Sequence, residues 1–79
     1  MNTTKILAIL LKKLCFRPDG KTIWYLDEYD KKYRNNVKYI EYHPDGKTIK
    51  EIREYDYYEE LIKITYYDPD GTISDIINF

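Results

Sequence analysis

The chain is poor in the residues that most often carry chemistry. A single cysteine excludes an internal disulfide, and a single histidine excludes an ordinary zinc set. Excess charge of either sign is also missing: 13 basic side chains stand against 14 acidic ones, for a net charge of -1. The basic footprint that holds nucleic acid is therefore not expected. Long apolar runs are lacking too. The longest, Ile6 to Leu11, falls far short of the ~20 residues that span a bilayer, so no transmembrane helix is expected. One alanine leaves the best helix former almost unused. With only 79 residues, a lone domain hides about 60% of the surface its unfolded chain exposes, which leaves a monomer marginal.

What is abundant is tyrosine, isoleucine, lysine and asparagine, together 35 of the 79 residues. Ile and Tyr favour a pleated, half-buried surface, so strand is the default over most of the chain. An internal repeat then organises it. Phe16-Arg-Pro-Asp-Gly-Lys-Thr-Ile23, Tyr42-His-Pro-Asp-Gly-Lys-Thr-Ile49 and Tyr67-Asp-Pro-Asp-Gly-Thr-Ile73 align, with Pro18, Pro44 and Pro69 spaced by 26 and then 25 residues. Trp24-Tyr-Leu-Asp-Glu-Tyr-Asp30 also matches Lys50-Glu-Ile-Arg-Glu-Tyr-Asp56. The third copy stops at Phe79 before its Glu-Tyr-Asp.

Each Pro-Asp-Gly (Pro18-Asp19-Gly20, Pro44-Asp45-Gly46, Pro69-Asp70-Gly71) reads as a hairpin tip. Proline pre-sets φ, aspartate bonds the local backbone, and glycine accepts the left-handed conformation that closes a bulge. Strands are predicted over 10–17, 22–29, 37–43, 47–55, 61–67 and 72–78. The fold class is all-β: an antiparallel meander of three repeated hairpins in one twisted sheet, with repeats at about 11–30, 37–56 and 61–79 of a single domain 11–79. A tight second turn places Tyr42 opposite Lys47, Ile40 opposite Ile49 and Lys38 opposite Glu51. The third copy lacks the lysine after Gly71, so its register is expected to slip by one or to lose a bulge.

Residues 1–10 form an apolar N-terminal segment that reads as either helix or strand. Leu7, Leu10, Leu11 and Leu14 follow helical spacing behind Thr3 or Thr4 as a cap, whereas the repeat wants Leu11 to Phe16 extended. A short amphipathic helix over 4–10 running into the first strand reconciles the two. As a secretory leader the segment is deficient: its apolar core is short, Lys12-Lys13 follows at once, and no small-residue cleavage site appears.

The string Tyr42-His-Pro-Asp-Gly-Lys-Thr-Ile-Lys-Glu-Ile-Arg-Glu-Tyr-Asp56, followed by Leu61-Ile-Lys-Ile-Thr-Tyr-Tyr-Asp-Pro-Asp-Gly71, resembles a phytoplasma-type repeat family of unknown function. More distantly it is similar to the variant MORN repeats of antitoxin-like bacterial proteins. The resemblance covers about residues 11–79. It implies a repeat architecture and a wall-less bacterial source, and no reaction. Tyr57-Tyr-Glu-Glu60 stands where family members often carry Thr-Gly-Lys. Bacterial cytoplasm is the compartment that follows, with secretion the alternative if the N-terminal segment acts as a leader.

The candidate sites for chemistry are few. Asp68-Pro-Asp-Gly71 lacks the later ligands of a calcium loop and reads as a turn. His43 precedes Pro44 where the other copies carry Arg17 and Asp68, a variation that suggests a solvent-facing position. Cys15 reads as a small packing residue. No catalytic residue, cofactor or metal ligand is assigned, and an enzyme is the least supported class. The aromatics Trp24, Tyr25, Tyr39, Tyr42, Tyr57, Tyr58, Tyr66 and Tyr67 read either as the half-buried core of the sheet or as a recognition face. The function expected is a non-enzymatic protein–protein interaction or self-association module, with Trp24, Tyr25, Tyr39, Tyr57, Tyr58, Leu7, Leu10 and Leu11 as its surface. A carbohydrate or small-ligand binder using the Trp and Tyr side chains is the alternative. An open sheet with two unpaired edges and no staple is expected to form a homo-oligomer, with Leu7, Leu10 and Leu11 in the contact.

Overall fold

The computed structural model describes residues 10–79. They form six strands: β1 Leu10–Phe16, β2 Ile23–Asp30, β3 Asn36–Tyr42, β4 Ile49–Tyr55, β5 Leu61–Tyr67 and β6 Ile73–Asn78. All lie in one sheet in the order β1-β2-β3-β4-β5-β6, and every neighbouring pair is antiparallel. The meander expected from the repeat is therefore the fold, and its strand limits fall within two residues of the predicted ones. No helix occurs among the described residues, so none of them forms a helix long and apolar enough to cross a membrane. Residues 4–9 of the expected short helix, Leu7 among them, lie outside the described residues, and Leu10, its last residue, opens β1 instead.

The register differs from expectation. Tyr42 lies opposite Ile49 rather than Lys47, Ile40 opposite Ile52 rather than Ile49, and Lys38 opposite Glu54 rather than Glu51. The reason is the turn. It occupies His43 to Thr48, closed by the His43 N–H donating to the Thr48 carbonyl and the Gly46 N–H donating to the His43 carbonyl. Lys50 is then an extra residue in a bulge between Ile49 and Glu51. Trp24 and Ser74 are the extra residues at the same place in the other two hairpins, and Val37 and Ile62 in the connections between hairpins. Every pairing carries one such irregularity just after the chain reverses, and bulges of this kind increase the right-handed twist.

The third copy neither slips nor loses its bulge. Tyr67 faces Ile73 as Tyr42 faces Ile49, because the missing lysine is taken up within the loop. That loop closes one residue earlier, with the Asp68 N–H donating to the Thr72 carbonyl.

Four rungs of directly opposed residues run unbroken across all six strands. Two share one face: Leu14-Leu26-Ile40-Ile52-Thr65-Ile76, which is apolar but for one threonine, and Lys12-Glu28-Lys38-Glu54-Lys63-Asn78, which alternates in charge from Lys12 to Lys63. The other two, Lys13-Asp27-Tyr39-Arg53-Ile64-Ile77 and Cys15-Tyr25-Glu41-Glu51-Tyr66-Asp75, occupy the opposite face. A one-layer sheet buries little. Ile64, 8% exposed, is the one buried hydrophobic side chain among the described residues, and Leu14 and Ile76 on the apolar rung are 46% and 44% exposed. Stability in such a sheet rests on cross-strand side-chain pairs rather than on a closed core.

Candidate functional site

Aspartate shapes both ends of the sheet. In the Pro-Asp-Gly turns, Asp19 and Asp45 each accept two backbone N–H donors through Oδ1. The donors are Lys21 and Thr22 at 2.8 and 2.9 Å, and Lys47 and Thr48 both at 2.8 Å. The threonine hydroxyls of Thr22 and Thr48 donate to the second oxygen of the same carboxylates. Asp70 brackets Thr72 in the shorter third turn, taking its N–H at 2.9 Å and its hydroxyl at 2.6 Å. These bonds to the ionised form hold Asp19 and Asp45 down to about 2 and lower Asp70 as well, the threonine hydroxyl being the largest cause in each. At the other end, Asp30 accepts from Lys32 and Tyr33, and Asp56 from Tyr58 and Glu60. The repeated Glu-Tyr-Asp thus ends in the residue that turns the chain into the next hairpin.

The residue before each proline couples one repeat to the next. Arg17 Nη2 donates to the Tyr42 carbonyl at 3.0 Å, and His43 Nε2 lies 3.1 Å from the Tyr67 carbonyl. Both side chains are half-buried, which corrects the solvent-facing reading of this position. Arg and His share the ability to donate to a backbone carbonyl on the neighbouring turn. Asp68, a carboxylate, has no proton to offer there and is exposed.

The aromatic residues separate into distinct places rather than one face. Tyr25 and Tyr39 pack at 5.5 Å on the tyrosine-rich face, Arg53 lies 5.4 Å over Tyr39, and the Tyr39 hydroxyl donates to Glu41 Oε1 at 2.9 Å. Glu41 also meets Lys50 at 3.7 Å, and the buried Glu51 receives Arg53 Nε. Burial, followed by the bond to Glu41, pushes the Tyr39 hydroxyl well above the ordinary tyrosine range, while the Glu51 carboxylate raises Arg53. Tyr25 is raised chiefly by its hydrogen bond with Cys15. Tyr39, Glu41, Lys50, Glu51 and Arg53 thus form a polar network on this face.

Trp24 projects from the first bulge with its ring under the Arg17 guanidinium at 5.3 Å and edge-on to Tyr25 at 6.0 Å. Tyr42 and Tyr67 belong to the apolar face, on the strand positions next to the apolar rung. Tyr57 and Tyr58 lie in the β4–β5 connection, stacked edge-to-face at 5.5 Å, and Tyr57 meets Tyr33 of the β2–β3 connection at 6.1 Å. Tyr33, missing from the sequence reading, completes an exposed cluster in which Tyr58 is 78% accessible. The signal for it was a tyrosine in both inter-hairpin loops. Asn35 Nδ2 donates to the Tyr57 carbonyl at 3.2 Å, and the Asn36 N–H donates to Glu59 at 2.8 Å, tying the two loops together. Leu11 is half-buried on the tyrosine-rich side of β1, and Leu10 opens that strand.

Among the described residues, no group of three or more His, Cys, Asp or Glu is placed to hold a metal ion. No match was found among curated proteins or among solved structures. One protein family matches residues 16–60, a span of more than half the chain that includes β2, β3 and β4 with two Pro-Asp-Gly turns and both Glu-Tyr-Asp loops. Its description is a protein of unknown function (DUF2963), and by that match the chain belongs to this family.

Proposed function

We propose that the chain is a non-enzymatic protein–protein interaction or self-association module. The observation that carries this reading is the exposed Tyr33-Tyr57-Tyr58 cluster, held by two loops that are bonded to each other and braced by Asp30 and Asp56. Rigid aromatics with a polar tip give large contact area at small entropic loss, which is why Tyr and Trp recur as binding hot spots. The repeat's likeness to the phytoplasma-type and MORN-type units fits such a role. Cys15 lies opposite Tyr25 in the β1–β2 pairing, and His43 Nε2 lies against the Tyr67 carbonyl.

The carbohydrate alternative asks for an open ring face, and Trp24 has the Arg17 guanidinium across one of its faces. The test is affinity capture from cell lysate with the wild type and with Tyr58→Ala and Trp24→Ala variants, matched by circular dichroism, beside a glycan array. Loss of a specific captured protein in the Tyr58→Ala variant at unchanged fold is the expected outcome. Glycan hits without any aromatic-dependent protein partner would overturn the reading.

A further inference from the structure

The apolar face carries a pattern that its own sheet does not use. Beside the apolar rung runs Lys12-Glu28-Lys38-Glu54-Lys63-Asn78, one residue per strand, alternating in sign over its five charged members. The two ion pairs found among the described residues are Lys50–Glu41 and Arg53–Glu51, and neither belongs to this rung. Its charges are close enough across the strands to be compatible, yet none closes on a neighbour. The apolar rung beside it runs along the middle of the face, with Thr65 buried, Leu26, Ile40 and Ile52 half-buried, and Leu14 and Ile76 at its two ends well exposed. The opposite face differs, because Glu41, Glu51, Arg53 and Tyr39 there already pair among themselves.

We propose that this face is covered by a second copy of the chain, packed face to face about a two-fold axis that runs along the strands between β3 and β4. The proposal rests on the self-association form of the interaction-module reading and names its surface. Charge complementarity favours this axis. Rotation about a line parallel to the strands keeps each rung at its own height and reverses the strand order. Lys38 then meets Glu54 of the second copy, Glu28 meets Lys63, and Lys12 meets Asn78, each contact occurring twice. The same rotation sets Ile40 over Ile52, Leu26 over Thr65 and Leu14 over Ile76, so apolar meets apolar along the middle rung.

The other in-plane axis, perpendicular to the strands, lays each strand over its own copy. If it passed through the charged rung, it would put Lys38 on Lys38 and Glu54 on Glu54. Aligned packing of two twisted sheets, at roughly −30° with their inner faces about 10 Å apart, suits the first arrangement. Its central contact, Lys38 with Glu54, lies nearest the axis and is least displaced by that angle. An interface of this kind is isologous, as a two-fold requires.

The experiment uses the full chain and two single variants, Lys38→Glu and Glu54→Lys, measured separately and as an equimolar mixture by sedimentation and native mass spectrometry. Circular dichroism establishes that each variant is folded. The wild type is expected at twice the 9.7 kDa chain mass at micromolar concentration. Each variant alone places like charges against each other twice, and its dimer dissociation constant should rise about tenfold or more. The mixture should restore a dimer containing one of each chain, because both central contacts then set a carboxylate of the Lys38→Glu chain against an ammonium of the Glu54→Lys chain. Within a single chain Lys38 and Glu54 are also neighbours, but mixing cannot repair an effect confined to one sheet.

A folded wild-type monomer across that range would overturn the proposal and point to the chain's own N-terminal apolar segment as the cover. A dimer indifferent to both substitutions, or one weakened by them and not restored on mixing, would overturn it equally. In each of those cases, partner capture that still depends on Tyr58 would leave the interaction-module reading standing. Loss of that capture as well would remove both.

Discussion

Gly20 and Gly46 hold the same place in the repeat and the same left-handed conformation, with φ of 72° and 69°, yet their surroundings differ. A Cβ on Gly20 would meet open space, whereas one on Gly46 would meet the Thr22 methyl at 2.8 Å and the Ile23 nitrogen at 3.3 Å. The second turn leans on the first. Gly20→Ala is expected to cost about 1–2 kcal/mol from the backbone conformation alone. Gly46→Ala should cost more, because the neighbouring turn must also move. Thermal melts of the two variants check this, and equal shifts would mean that the turns do not touch.

The turn aspartates set the response to acid. Asp19 and Asp45 have pKa values held down to about 2 in the fold, against an ordinary value of 3.8, and Asp70 is lowered in the same sense. A depressed carboxylate contributes its stability in full above the unfolded value and loses it as pH falls through the folded one. The melting temperature should therefore be flat above about pH 5 and fall steadily toward about pH 2. The Asp45→Asn variant should start lower and fall less. A midpoint that rose on acidification would show that the three turns are not held by ionised aspartate.

A turn that is bracketed from inside tolerates a change of length. The first two loops and the third differ by one residue, and Asp70 still reaches the N–H and hydroxyl of its threonine. Deleting Lys47 should therefore convert the second turn to the third turn's form and leave the pairing of Tyr42 with Ile49 in place. Cross-strand nuclear Overhauser contacts between those two residues read the outcome directly, and a slipped register would abolish them.

The same loops mark how far the sequence could be read. Pro-Asp-Gly between runs of β-prone residues made the hairpins and their order legible, because proline and glycine leave few other conformations open. Register was not legible. It depends on where the closing bond forms, and the two hydrogen bonds that threonine donates to aspartate move that point two residues beyond glycine in the first two turns. The clasp made by Arg17 and His43 was hidden for a different reason: residues unlike in charge and shape share one property, a proton for a carbonyl 24 or 25 positions away. Tyr33 was overlooked because Lys31-Lys-Tyr-Arg-Asn-Asn36 reads as a polar loop, and its aromatic partner, Tyr57, comes from the other inter-hairpin loop.

At the scale of the whole sheet, the described residues form six strands in one layer. On the tyrosine-rich side Tyr39, Glu41, Glu51 and Arg53 pair among themselves. On the apolar side none of the charges from Lys12 to Lys63 closes an ion pair, and mixing the Lys38→Glu and Glu54→Lys chains asks whether a second copy supplies the partners. The rungs also bear on the gene. Each runs through all six strands without a break, each chain reversal is followed by the same single extra residue, and each repeat meets its successor through the side chain before proline. An in-frame duplication of one 26-residue period, from Arg17 to Tyr42, would therefore deliver two further strands already in step with those on either side. For this architecture, unequal recombination is a route to longer or shorter ribbons in which no existing pair has to be rebuilt.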